Sequence, residues 1–158
     1  MAYQDQVEMA PVLPEPRREE RRRPWPEAPA EQITVLCISE NVELAKLDVV
    51  PPLREAGLKV ELREADARKP LNLDNGSYGL IVLDVSDPEG PGYEICMRSR
   101  HVSRLPIMLV LRGAARDDVL RVFQAGADAY VVFPFDPREF LARLGALLRR
   151  RPQRPGMV

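Results

Sequence analysis

Two cysteines, one histidine and one tryptophan among 158 residues leave little material for several kinds of chemistry. Cys37 and Cys96 form no CxxC pair and each lies in an apolar pattern. That excludes a disulfide framework, a dithiol redox motif and a cysteine-based metal site, so both are expected as reduced core residues of a cytoplasmic protein. His101 has no second ligand or nucleophile beside it and reads as a helix-end residue. Lysine is also scarce, three against twenty arginines, and the formal net charge of -1 gives no general attraction to nucleic acid or membrane. No apolar run is long enough to span a bilayer, and no signal peptide is recognisable. There is no nucleophile triad, no metal cluster and no glycine-rich phosphate loop at the first strand, so no enzyme is expected.

What is present divides into three parts. Residues 1–31 hold six of the sixteen prolines and the charge block Arg17-Arg18-Glu19-Glu20-Arg21-Arg22-Arg23, with too little apolar material to offset ordering entropy. They read as a disordered or extended arm. Within it stands Trp25, between Pro24 and Pro26, where the stiffened backbone presents the ring as a docking anchor for a partner or for the chain's own domain. Residues 32–150 read as a folded domain, and 151–158 as a short basic tail.

Within the domain, short apolar runs alternate with helical patterns. Ile33–Ile38 reads as a first buried strand, followed by a helix from about Asn41 that Pro51-Pro52 must break and restart, ending at Gly57. Leu58–Leu62 is a second strand, and the polar stretch 65–78 after it predicts at most a short or irregular helix. Gly79-Leu80-Ile81-Val82-Leu83-Asp84-Val85 is the central strand, covered on both faces and closing on a carboxylate. Then come a helix at 92–101, a strand at 106–111, a helix at 117–125, a strand at 129–132 and a last helix. Asp136, Pro137 and Glu139 mark the start of that helix, and Phe140, Leu141, Leu144, Leu147 and Leu148 form its apolar stripe. Five buried strands alternating with helices mean an α/β fold, a doubly wound parallel sheet with helices on both faces. In such sheets chemistry gathers beyond the carboxyl ends of the strands, where Asp84 either caps its loop or serves a site.

Three groups of residues carry a family resemblance: Leu83-Asp84 with Pro88 and Gly92, Ala125-Gly126-Ala127-Asp128-Ala129-Tyr130, and Pro134-Phe135-Asp136-Pro137-Arg138-Glu139. On these, residues 33–148 resemble the receiver domain of bacterial two-component response regulators. The resemblance implies a CheY-like, flavodoxin-like sheet of order 2-1-3-4-5. It also implies a phosphoacceptor at Asp84 and an acidic Mg²⁺ pair, a hydroxyl and a lysine around it. Those positions fall on Ser39 and Glu40, on Leu111 and on Phe133, so one carboxylate, the hydroxyl and the cation are all replaced. Glu40 and Asp84 alone would hold Mg²⁺ weakly at best. With no cation beside the acceptor, Tyr130, at the family's aromatic switch position, loses its trigger.

The reading is a pseudo-receiver: a stand-alone protein–protein interaction module in bacterial signalling that does not depend on phosphorylation and needs no cofactor. Since no DNA-binding domain follows Leu148 here, output is expected through association, by the face of the fourth helix, fifth strand and fifth helix and by the arm. A second copy is among the candidate partners. On the fourth helix, Leu120 and Phe123 are assigned to the core. Val119 and Val122 are assigned to an outward patch rimmed by Asp118 and Arg121. Two alternatives stay open: a conventional single-domain regulator phosphorylated on Asp84, and a small-ligand sensor using a crevice made less charged and more apolar. A nucleic-acid contact through the arginine-rich ends is the weakest reading.

Overall fold

A computed structural model describes residues 33–73 and 78–150, the side chain of Arg150 apart. The arm with Trp25, residue 32 and the basic tail lie outside the described residues. Five parallel strands form one sheet in the order β2-β1-β3-β4-β5, which is the order implied by the resemblance. They are β1 (Thr34–Ser39), β2 (Lys59–Glu64), β3 (Tyr78–Val85), β4 (Ile107–Leu111) and β5 (Ala129–Val132). β3 is the centre, with all eight residues buried, because helices cover it on both sides.

The first helical stretch splits where the proline pair requires. Asn41 caps α1 (Val42–Asp48), its side chain accepting the Leu44 N–H at 3.2 Å. The chain turns at Val49, and α2 (Val50–Glu55) takes Pro51 and Pro52 into its first turn, where a missing N–H costs nothing. Gly57 follows with φ +91°, a conformation that suits glycine at a helix end. No helix spans the described part of the β2–β3 connection. Arg63 holds it instead, donating to the carbonyls of Leu71 and Asn72 and, at 2.7 Å, to the Tyr78 hydroxyl. The remaining helices are α3 (Pro91–Val102), α4 (Val119–Gln124, after a 3-10 turn at Gly113–Asp117) and α5 (Pro137–Arg150). Asp136 caps α5 by accepting the Arg138 N–H at 2.9 Å, while Glu139 pairs forward with Arg143 at 3.0 Å.

Strand alternation sorts the core into two layers. Val35, Cys37, Leu80, Val82, Met108, Val110 and Val131 face α1, α2 and α5, where Phe140, Leu144 and Leu147 meet them. Leu36, Ile81, Leu83, Ile107 and Leu109 face α3 and α4, with Tyr93, Ile95 and Val122. Each buried side chain of this size contributes roughly 1.5–3 kcal/mol.

One expectation about α4 fails. Val122 is fully buried and Leu120 is 71 % exposed, the reverse of the outward valine patch. Asp118 has non-helical angles (φ -116°, ψ 54°), so the helix starts in a phase that points Val122 and Ala125 at the second layer. Val119 and Phe123 are half-buried, and the exposed apolar residue is Leu120, with Asp118 and Arg121 beside it.

Both cysteines are free and buried, and burial pushes each thiol from 9.0 up to about 12; for Cys37 the nearby Asp84 charge adds to the shift. That rise lowers the thiolate fraction at pH 8 by about a thousandfold. Iodoacetamide at that pH is expected to label both cysteines in urea and neither in the folded protein. Intact-mass analysis reads the difference, and fast native labelling would contradict the packing.

Candidate functional site

The site lies at the carboxyl edge of the sheet, where β1 and β3 end side by side with Ser39 opposite Asp84. Asp84 is only 2 % exposed. Its Oδ2 accepts a hydrogen bond from the Ser39 hydroxyl at 2.9 Å, and Ser39 Oγ in turn accepts the Asn41 N–H at 2.9 Å. Where the family resemblance places an acid, this chain thus has a donor aimed at the acceptor carboxylate.

The cation that seemed absent comes from the next residue after Leu111. Leu111 packs into the second layer, and the ladder continues as the Arg112 N–H donates to the Val85 carbonyl at 2.9 Å. Alternation then turns Arg112 to the same side as Asp84 and Phe133. Arg112 Nε donates to Asp84 Oδ1 at 2.8 Å and Nη2 to Oδ2 at 3.1 Å. On its other edge Nη1 and Nη2 donate to the two oxygens of Asp48, the last residue of α1, at 2.9 and 2.7 Å. The guanidinium lies 4.5 Å from the centre of the Phe133 ring. Arg112 is therefore a buried cation with a carboxylate on each edge and an aromatic face against it. A planar five-donor fork can fill that place and a lysine ammonium cannot. The apolar crevice expected from Leu111 and Phe133 is corrected: the site keeps a full positive charge, and Phe133 serves as its platform.

The electrostatics follow from this burial. Desolvation pushes the Asp84 carboxyl above its ordinary value, against the opposing pull of Arg112 and of the Ser39 hydroxyl. The hydrogen bonds that Arg112 donates to Asp48 and Asp84 hold it protonated beyond its already high ordinary value.

Glu40, the other acidic candidate, is engaged elsewhere. Its Oε1 accepts the N–H groups of Ser86 and Asp87, both at 2.9 Å, and its Oε2 accepts the Gly92 N–H at 2.9 Å. The carboxylate thus sits in a nest of backbone donors at the start of α3, favoured also by the helix dipole. The loop closes this tightly because Gly90 and Gly92 have no side chain: a Cβ on Gly92 would lie 2.7 Å from Val85 Cγ2 and 2.8 Å from Glu40 Oε2. The donor set does not fit Mg²⁺, which would need free carboxylate oxygens from Glu40 and Asp84 in octahedral geometry. Every one of those four oxygens already accepts a protein hydrogen bond.

Tyr130 stands apart from this cluster. It meets Phe123 of α4 edge-on, with ring centres 5.8 Å apart, and burial raises its hydroxyl. Arg121 is placed over the Tyr93 ring at 4.9 Å, and Asp118 lies 3.9 Å from it. Arg112 and Asp48 are the site residues that sequence reasoning missed. Two signals were available: the period of two that carries Arg112 to Asp84's side, and a carboxylate at the end of α1, where the helix dipole disfavours it.

No family model matches the chain. Among curated proteins it is similar to the response regulator ArlR of Staphylococcus aureus, 42% identical over 77 residues, which is 49% of this chain and 35% of ArlR. The chain thus spans about a third of the length of the curated relatives it matches. Among solved structures it is similar to a protein from Chloroflexus aurantiacus described as a response regulator, at 27% identity and a TM-score of 0.63 over 76% of this chain and all of that one. It is also similar to the beryllofluoride-activated receiver domain of DrrB, at 29% identity and a TM-score of 0.59, covering 75% of this chain and 99% of that domain. With the strand order, the buried aspartate at the end of β3 and these likenesses together, the described residues form a response regulator receiver domain of the CheY-like fold.

Proposed function

We propose that this chain is a receiver whose acceptor site is held closed by its own arginine, acting in signalling as a protein-binding module that does not depend on phosphorylation. The observation that carries the reading is the Arg112 guanidinium joined to both Asp84 oxygens and to Asp48. Phosphoryl transfer needs a carboxylate oxygen free for in-line attack, together with cations that follow the transferred group. Here the cation is spent on the carboxylate itself, the hydroxyl of Ser39 occupies a further lone pair, and Glu40 is tied into the β3–α3 loop. Tyr130 has no lysine-linked trigger and rests on Phe123.

The module is non-catalytic and works in the cytoplasm, and no helix of the described residues is long and apolar enough to cross a membrane. Its protein partner uses the α4–β5–α5 face, with exposed Leu120 as the apolar contact in place of Val122. Adding beryllofluoride with Mg²⁺ and following the amide NMR signals of Asp84, Tyr130 and α4 tests the reading. No displacement is expected at any of them. A shift spreading from Asp84 to Tyr130 would show instead a conventional regulator phosphorylated on Asp84.

A further inference from the structure

The described part of the β2–β3 connection, which holds no helix, borders a groove of about 670 Å³ on the α3 side of the sheet. One wall is Pro70, Leu71 and Leu73; the other is the last turns of α3, with Met97 and Val102. Those two side chains are 50 % and 68 % exposed, a conspicuous apolar surface for the outer face of a helix whose inner face is fully buried. The walls are fixed relative to one another. Arg98 of α3 donates to the Ala67 carbonyl at 2.6 Å and to that of Lys69 at 3.3 Å, and Arg63 grips the Leu71 carbonyl from the sheet. The groove is thus a built concavity, of the size that holds a large side chain and its neighbours.

We propose that this groove is the docking site for the chain's own arm, with the Trp25 indole seated between Leu71 or Leu73 and Met97. The first argument is where the arm joins the domain. β1 begins at Thr34, directly beside Tyr78 at the start of β3, so the chain enters at the amino edge of the sheet. α3 packs on β3 and runs antiparallel to it, so Val102 and the groove come to that same edge. Neighbouring strands are about 4.8 Å apart, and a helix layer stands about 10 Å off the sheet. Trp25 precedes Ile33 by eight residues, which in the extended form that Pro24, Pro26 and Pro29 favour reach about 25 Å. The length suffices without slack for the opposite end of the domain. The second argument is charge. Glu27 and Glu31 lie between Trp25 and the domain, and Lys69 and Arg98 flank the groove. The third is economy of entropy: a proline-flanked tryptophan loses little conformational freedom on seating and buries a large ring. The proposal concerns a surface remote from Asp84 and stands whether or not Asp84 is phosphorylated.

Methyl NMR of the full chain, labelled at the methionine ε-methyl groups, tests this directly, because Trp25 is the one tryptophan and its ring current acts only on methyls close to it. The Met97 signal is expected upfield in the parent protein and back at the ordinary methionine position in Trp25→Ala, with the shift unchanged on dilution. Tryptophan fluorescence gives the second reading: Val102→Glu, an exposed substitution that leaves the fold intact, is expected to move the Trp25 emission to the solvent-exposed position. A Met97 signal identical in the parent and Trp25→Ala, or an emission already at the solvent-exposed position in the parent, overturns the proposal. A Met97 shift that fades on dilution also overturns it, since the occupant would then be a second copy of the chain.

Discussion

Arg112→Ala is expected to lower folding stability by about 3–5 kcal/mol at pH 7, the usual result of stripping one partner from a buried ion pair. The substitution leaves the Asp84 carboxylate 2 % exposed with Ser39 as its remaining side-chain donor, and it also uncovers Asp48 at the end of α1. Arg112→Lys should fall between the two, since an ammonium can meet one carboxylate but cannot bridge both while lying flat on Phe133. The effect carries a pH signature whose sign is fixed by Asp84. Burial raises its folded-state carboxyl above the ordinary 3.8, so the folded chain holds this proton more tightly than the unfolded one. The associated stability is fully present below the ordinary value and is lost as pH rises through the folded one. Without Arg112 the opposing pull disappears and that loss grows. Urea midpoints should therefore show the variant closer to the parent at pH 4 than at pH 7. Equal losses at both values, or a loss under 1 kcal/mol at pH 7, would show that Asp84 does not depend on this arginine.

The same pair explains how much of the site could be read from the residues. The fold was legible because it rests on repeated patterns: four apolar runs, the alternating β2 strand at the sheet's edge, the proline pair splitting α1 from α2, and the Asp136 cap of α5. The replacements that the resemblance implies at Ser39, Leu111 and Phe133 were readable as single positions in register with it. Their meaning was not, because a position-by-position comparison looks for a cation where the family keeps it. Arg112 lies one place after the expected hydroxyl position, and only the alternation along β4 turns it toward Asp84. Asp48 is thirty-six residues from Asp84, and no local pattern announces their shared partner. Phe133 appears as a lost cation in the sequence and as the surface under another cation in the fold. Around Asp84, then, the fold joins Ser39, Asp48, Arg112 and Phe133 into one connected cluster centred on a buried guanidinium.

The fourth helix yields the other large expected effect, because its two apolar stripes compete. Val119-Leu120-Arg121-Val122-Phe123-Gln124 has four apolar residues in six, so a helical period fits either Leu120 with Phe123 or Val119 with Val122 as the inner pair. The preceding 3-10 turn and the non-helical Asp118 set the phase that buries Val122 against the second layer beside Ala125. Val122→Asp is accordingly expected to cost at least about 3 kcal/mol, since it places a carboxylate in a fully buried, mostly apolar layer. Leu120→Asp, at 71 % exposure, should leave stability within about 0.5 kcal/mol of the parent. Urea unfolding of the two variants separates these outcomes in one experiment. The comparison also guards the functional test, because a binding loss in Val122→Asp would report unfolding, whereas a loss in Leu120→Asp with stability intact would report the contact. If Leu120→Asp instead unfolds the domain while Val122→Asp does not, the helix is turned the other way. The partner surface would then return to the valine pair.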